Sequence, residues 1–126
     1  MRVTRFDERG FEGYREAEFV VYIYEGGDQP GYSWSEAGYH LTDTDLAGVL
    51  LWLGENLPAD CCWSLGVVQR PNPDWEGWPL PEGRAAACAV AWIVGGDVLN
   101  HGPEYRSPEE ERLAQAMLAR RHSVQF

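Results

Sequence analysis

Apolar positions fall into short runs separated by Gly- and Pro-rich breaks. Phe19-Val20-Val21-Tyr22-Ile23-Tyr24 is an unbroken set of β-formers and predicts a strand over 16–25. Both faces of this run are apolar, which places it in the middle of a sheet. Gly26-Gly27-Asp28-Gln29-Pro30-Gly31 is a turn, and 32–41 reads as the next strand, pairing back as an antiparallel hairpin. Its alternation falters at Ala37-Gly38, where a bulge is expected. Before these, Arg2-Val3-Thr4-Arg5-Phe6 suits a short edge strand, and 7–15 a charged turn.

The period then changes. Leu46, Val49, Leu50 and Leu53 recur at i, i+3, i+4 and i+7, one face of a helix over about 43–56. Thr42 or Asp43 is the expected cap, and Pro58 closes the helix. Leu51 and Trp52 widen the apolar surface beyond one stripe; a helix this apolar is usually sandwiched, the alternative being that Trp52 touches a partner. Residues 62–69 read as a strand with Trp63, Leu65 and Val67 on one face. Residues 85–94 read as another, whose small alternating face (Ala85, Ala87, Ala89, Ala91, Ile93) suits a central position under a helix. Gly95-Gly96-Asp97 turns into a short strand at Val98-Leu99. Ser107, Pro108 and Glu110 are the N-cap, N1 and N3 of a final helix over about 107–121, with a capping box. The order predicts one acidic α+β domain over 1–126. Its expected form is a two-layer sandwich, a mainly antiparallel sheet of five or six strands with two helices on one face.

Charge changes this picture from a fold to a surface. The chain has 126 residues, 20 acids and 10 bases, all Arg, for a formal net charge of −10. Residues 16–69 hold no Lys or Arg but nine carboxylates: Glu16, Glu18, Glu25, Asp28, Glu36, Asp43, Asp45, Glu55 and Asp60. Such a field opposes direct binding to a phosphate backbone, because it lacks a basic patch that releases counterions. It favours a basic protein partner by steering. The same charge also keeps a surface with six Trp in solution.

Catalytic and metal chemistry find little support. Cys61 and Cys62 are adjacent, which suits one tetrahedral site poorly, and the chain has neither CxxC nor HxxxH. His40, His101 and His122 are scattered, and there is no GxSxG. Gly26-Gly27 and Gly95-Gly96 open no helix and are followed by no Lys, so they are turns rather than phosphate cradles. No cofactor or metal is expected, and no enzymatic activity. Three Cys fit reduced thiols rather than a disulfide framework. No apolar run of signal-peptide length follows Met1, so the expected compartment is the cytoplasm.

Two features carry function. The first is the acidic set Glu25, Asp28, Glu36, Asp43 and Asp45, at strand ends and turns, where it offers spaced negative charge to a nuclease or another nucleic-acid-binding surface, as a DNA mimic does. The second is the segment 70–84, with four Pro, where Asp74, Trp75, Glu76 and Trp78 form an aromatic anchor beside acids. The small, acidic, aromatic-rich character is similar in type to inhibitors, immunity proteins against secreted nuclease toxins and phage anti-defence proteins. No motif carries that likeness. The expectation is a binder that blocks a basic partner. The alternative is a self-associating structural or accessory protein of bacterial or phage origin, joined through Trp52 and the 2–6 edge. A third is a small-molecule enzyme.

Overall fold

The computed structural model describes residues 1–6, 16–27, 33–69 and 89–121. Four strands make one antiparallel sheet: β1 (Phe19–Glu25), β2 (Ser35–Leu41), β3 (Cys61–Gln69) and β4 (Ala89–Val94), in the order β2-β1-β3-β4. Helix α1 (Leu46–Asn56) joins β2 to β3, and α2 (Pro108–Ala119) is the last helix of the described residues. Among the described residues the sheet therefore has four strands rather than the five or six expected. Residues 2–6 are exposed and form no strand, and Val98-Leu99 is buried in a turn rather than paired in the sheet. A 3-10 turn at Pro103–Tyr105 was not foreseen. The region 7–15, the turn at 28–31 and the segment 70–84 lie outside the described residues, as do Ala85 to Cys88.

The helices lie on opposite faces of the sheet, not on one. Phe19, Val21, Ile23, Cys61, Trp63 and Leu65 pack with Val49 and Leu53 of α1. The alternate residues Tyr24 and Cys62 pack with Ala114 and Met117 of α2, together with Val98 and Leu99. β1 and β3 are the inner strands, so each needs apolar side chains on both faces. The alternation of the pleat sorts them into two cores.

Two local features set the register. Along β1 and β2 the pairing runs unbroken from Phe19↔Leu41 to Glu25↔Ser35, so the expected bulge at Ala37-Gly38 is absent. Gly38 instead makes room for Tyr22, whose Cε1 would lie 2.6 Å from a Cβ there. The irregularity falls between Leu65 and Gly66, where Leu65 faces Val94 and Gly66 faces Trp92. Ile93 is thus the extra residue, half exposed, and its insertion turns Val94 into the α1-side core. A Cβ on Gly66 would run into Val90. Among the described strands β4 lies at an edge, not at the centre as the alanine run suggested.

Helix α1 starts later than expected. Asp45 is its cap, its Oδ1 accepting from the Gly48 N–H at 2.9 Å. Asp43 takes a left-handed turn conformation, φ 56°, which Asp tolerates better than most residues. Ser107 caps α2 as read, accepting from the Glu110 N–H at 3.1 Å. Among the described residues no helix is long and apolar enough to cross a membrane.

Candidate functional site

Sheet register fixes where the carboxylates go. Glu25 faces Ser35 on one side and Cys61 on the other, so the end of β1 and the starts of β2 and β3 share one end of the sheet. Glu25, Glu36 and Asp60 stand at that end. The turn after β4 brings Asp97 there too, its Oδ1 accepting from the Tyr24 hydroxyl at 3.0 Å. Asp43 and Asp45 follow Leu41 at the opposite end, about 20 Å away along a strand of seven residues. The structure therefore brings Glu25 and Glu36 together, and Asp43 with Asp45, but does not gather all four on one face. All four are exposed. Asp28, Asp74, Trp75, Glu76 and Trp78 lie outside the described residues.

Asp97 is the member of this group that sequence reasoning missed. Burial, then the neighbouring carboxylate of Asp97, hold Glu36 above the usual carboxylate range. Burial likewise pushes the Tyr24 phenol far up; the Ser64 hydroxyl opposes this and Asp97 adds to it. Because its folded-state pKa is raised, Glu36 contributes stability that is present at low pH and is lost as pH rises through that value. Glu36→Gln is accordingly expected to raise the melting temperature at pH 7. The gain should shrink to nothing near pH 4, as followed by circular dichroism across that range.

Several cations are already engaged within the chain. Arg121 lies 2.6 Å from Asp60 and its guanidinium sits 5.3 Å from the Trp34 ring centre. Arg106 donates to the Val98 and Leu99 carbonyls and to Glu111. His40 meets Glu18 at 3.3 Å. His101 meets Glu110 at 3.0 Å, and this bond, aided by Ser107, holds the Glu110 carboxyl below its usual range. Trp52 rests on Tyr39, ring centres 5.3 Å apart, and packs against the α1-side core, so it is a fold contact rather than a free anchor.

A cavity of about 310 Å³ opens between the hairpin and the 99–106 segment, lined in part by Ser33, Trp34, Asn100, His101 and Arg106. Three of its polar side chains are already engaged. Asn100 accepts from the Trp34 N–H at 2.8 Å and donates to the Trp34 carbonyl at 3.1 Å, while His101 and Arg106 make the bonds above. Cys61 and Cys62 are fully buried on opposite faces of the sheet, neither in a disulfide. Cys61 and His40 lie near opposite ends of the sheet, too far apart to act together as nucleophile and base. Among the described residues no group of three metal-ligating side chains converges.

Comparison with known proteins gives one partial likeness. The chain is similar to a 7,8-didemethyl-8-hydroxy-5-deazariboflavin synthase from Gloeobacter violaceus, 37% identical over 90 residues. That stretch is 71% of this chain but 26% of the synthase, so the chain spans about a quarter of that relative. No family model matches, and no solved structure does.

Proposed function

We propose that this chain is a small acidic binding protein that engages and blocks a basic protein partner, in the manner of an inhibitor, immunity or anti-defence protein. A nuclease or other nucleic-acid-binding protein fits the charge it presents, and the cytoplasm fits its thiols. The supporting observation is the exposure of Glu25, Glu36, Asp43 and Asp45 at the two sheet ends of a chain whose net charge is −10. Arg106 and Arg121, by contrast, are held on carboxylates of their own chain. Two separated acidic ends suit a partner with two basic patches about one strand length apart. From the sequence, Asp28 and the Asp74-Trp75-Glu76-Gly77-Trp78 run extend the same reading.

The experiment is capture from cells of the source organism on immobilised protein, wild type against Glu25→Gln/Glu36→Gln/Asp43→Asn/Asp45→Asn. Wild type is expected to retain a basic protein at low salt, and the variant to lose most of it. Equal retention by both would overturn the reading.

A second reading rests on the partial likeness to the deazariboflavin synthase: the Trp34 cavity would hold a deazaflavin-type chromophore. Its size is at the lower end for small-molecule sites. Saturable quenching of tryptophan fluorescence by 7,8-didemethyl-8-hydroxy-5-deazariboflavin would favour it, and a flat titration would remove it.

A further inference from the structure

β2 is the terminal strand of the described sheet, paired with β1 on one side, and six of its seven residues are exposed. Edge strands are commonly blunted by Pro, Lys or a bulge. Ser35-Glu36-Ala37-Gly38-Tyr39-His40-Leu41 has neither Pro nor Lys, and its register with β1 is unbroken. It is a regular edge of seven residues, long enough to template another strand.

The order of side chains along this edge identifies the partner it fits. Gly38 is the middle residue. If two copies pair antiparallel about a two-fold axis through Gly38, Glu36 of each copy falls opposite His40 of the other. Ala37 falls opposite Tyr39, and Ser35 opposite Leu41. The small residue thus meets the large one, and the acid meets the imidazole, twice each. His40 Nε2 already meets Glu18 of its own chain at 3.3 Å, which leaves Nδ1 for Glu36 of the second copy, and an imidazolium donates from both nitrogens. Glu36, Gly38 and His40 face the α2 side, since they pair with Tyr24, Tyr22 and Val20. On that face the space a Gly38 side chain would fill is occupied by the Tyr22 ring of the same chain. In the monomer Glu36 has the carboxylate of Asp97 beside it, and the second copy would add an imidazole on its other side.

We propose that β2 pairs with β2 of a second copy, joining two four-stranded sheets into one continuous eight-stranded sheet across a two-fold axis at Gly38. A strand-edge contact of this size belongs at the weak end of specific interfaces, with dissociation in the micromolar range. The cross-strand pairs set its register as well as its strength.

The test is sedimentation velocity over a range of protein concentrations at pH 7, with wild type, His40→Glu and the swapped variant Glu36→His/His40→Glu. Wild type is expected to shift from monomer to dimer with concentration. His40→Glu places like charges opposite each other twice and should weaken association by about tenfold or more. The swap restores both pairs and should recover the dimer. A separate readout guards against misfolding of the variants: amide exchange of Ser35 to Leu41 in wild type should slow as concentration rises. Monomeric wild type throughout, β2 exchange independent of concentration, or a folded His40→Glu that dimerises like wild type would each overturn the proposal.

Discussion

Trp63→Ala is expected to lower the unfolding free energy by about 3–5 kcal/mol, the range for emptying a large aromatic site in a packed core. Trp63 is among the fully buried side chains and lies at the middle of the α1-side cluster, on an inner strand. Its neighbours Ile23 and Leu65 are fixed by strand pairing and Leu53 by the helix, so the space left behind collapses poorly. Stability of small domains is on the order of 5–15 kcal/mol in total. The variant should therefore unfold at markedly lower urea with an unchanged slope, as measured by circular dichroism. A loss below about 1 kcal/mol would mean that α1 does not seal this face.

Arg106→Ala should be the costliest polar change, about 2–3 kcal/mol. Its side chain is only 9% exposed. Nε donates to the Val98 carbonyl at 3.2 Å, while the two terminal nitrogens reach the Leu99 carbonyl and Glu111 at 3.1 Å each. Removal strands two carbonyls in the segment that carries Val98 and Leu99 into the α2-side core. Glu111 is 41% exposed and can return to water, which keeps the loss below that of a fully buried pair. Arg106→Lys should rescue little, because one ammonium does not reproduce the planar fork that serves three acceptors. Urea unfolding of both variants measures this. Amide exchange in Arg106→Ala should accelerate in residues 98–106 ahead of the sheet.

The elements with strong periodic patterns were legible in the sequence. β1, the hairpin, β3 and α2 with its Ser107 cap stand within a few residues of where the pattern places them. The layer arrangement was legible in principle, because two apolar faces on β1 require cover on both sides. Placing both helices on one face leaves Tyr24 and Cys62 without an apolar partner, and the structure resolves this by putting α2 beneath them. The alanine face over 85–94 misled about position, since small residues indicate close approach and not centrality, and the extra residue Ile93 breaks the alternation in any case. The cap of α1 shifted because Thr42-Asp43-Thr44-Asp45 offers several capping side chains, and the left-handed turn at Asp43 leaves Asp45 as the one aimed at the free N–H of Gly48.

The candidate surface was legible only residue by residue. Composition revealed that the acids are many. Their division between the two ends of the sheet follows from strand direction, which composition does not carry. Asp97 joins Glu36 across 61 positions of sequence, through a turn after β4, and no local pattern marks that meeting. Trp52 offers the converse lesson: an apolar surface wider than one stripe fits either a sandwiched helix or a partner contact, and the neighbouring hairpin supplies Tyr39 to pack on it.

The reading of this chain as an acidic binder is tested most directly by association kinetics with the captured basic partner. Wild type is compared with Glu25→Gln/Glu36→Gln and with Asp43→Asn/Asp45→Asn, one variant for each sheet end. Asparagine at 45 keeps a competent helix cap, so the second variant removes charge without removing α1. Each pair is expected to slow association at low ionic strength by up to about tenfold, with dissociation little changed and the difference lost in high salt. Association rates and salt dependence indistinguishable from wild type in both variants would contradict it.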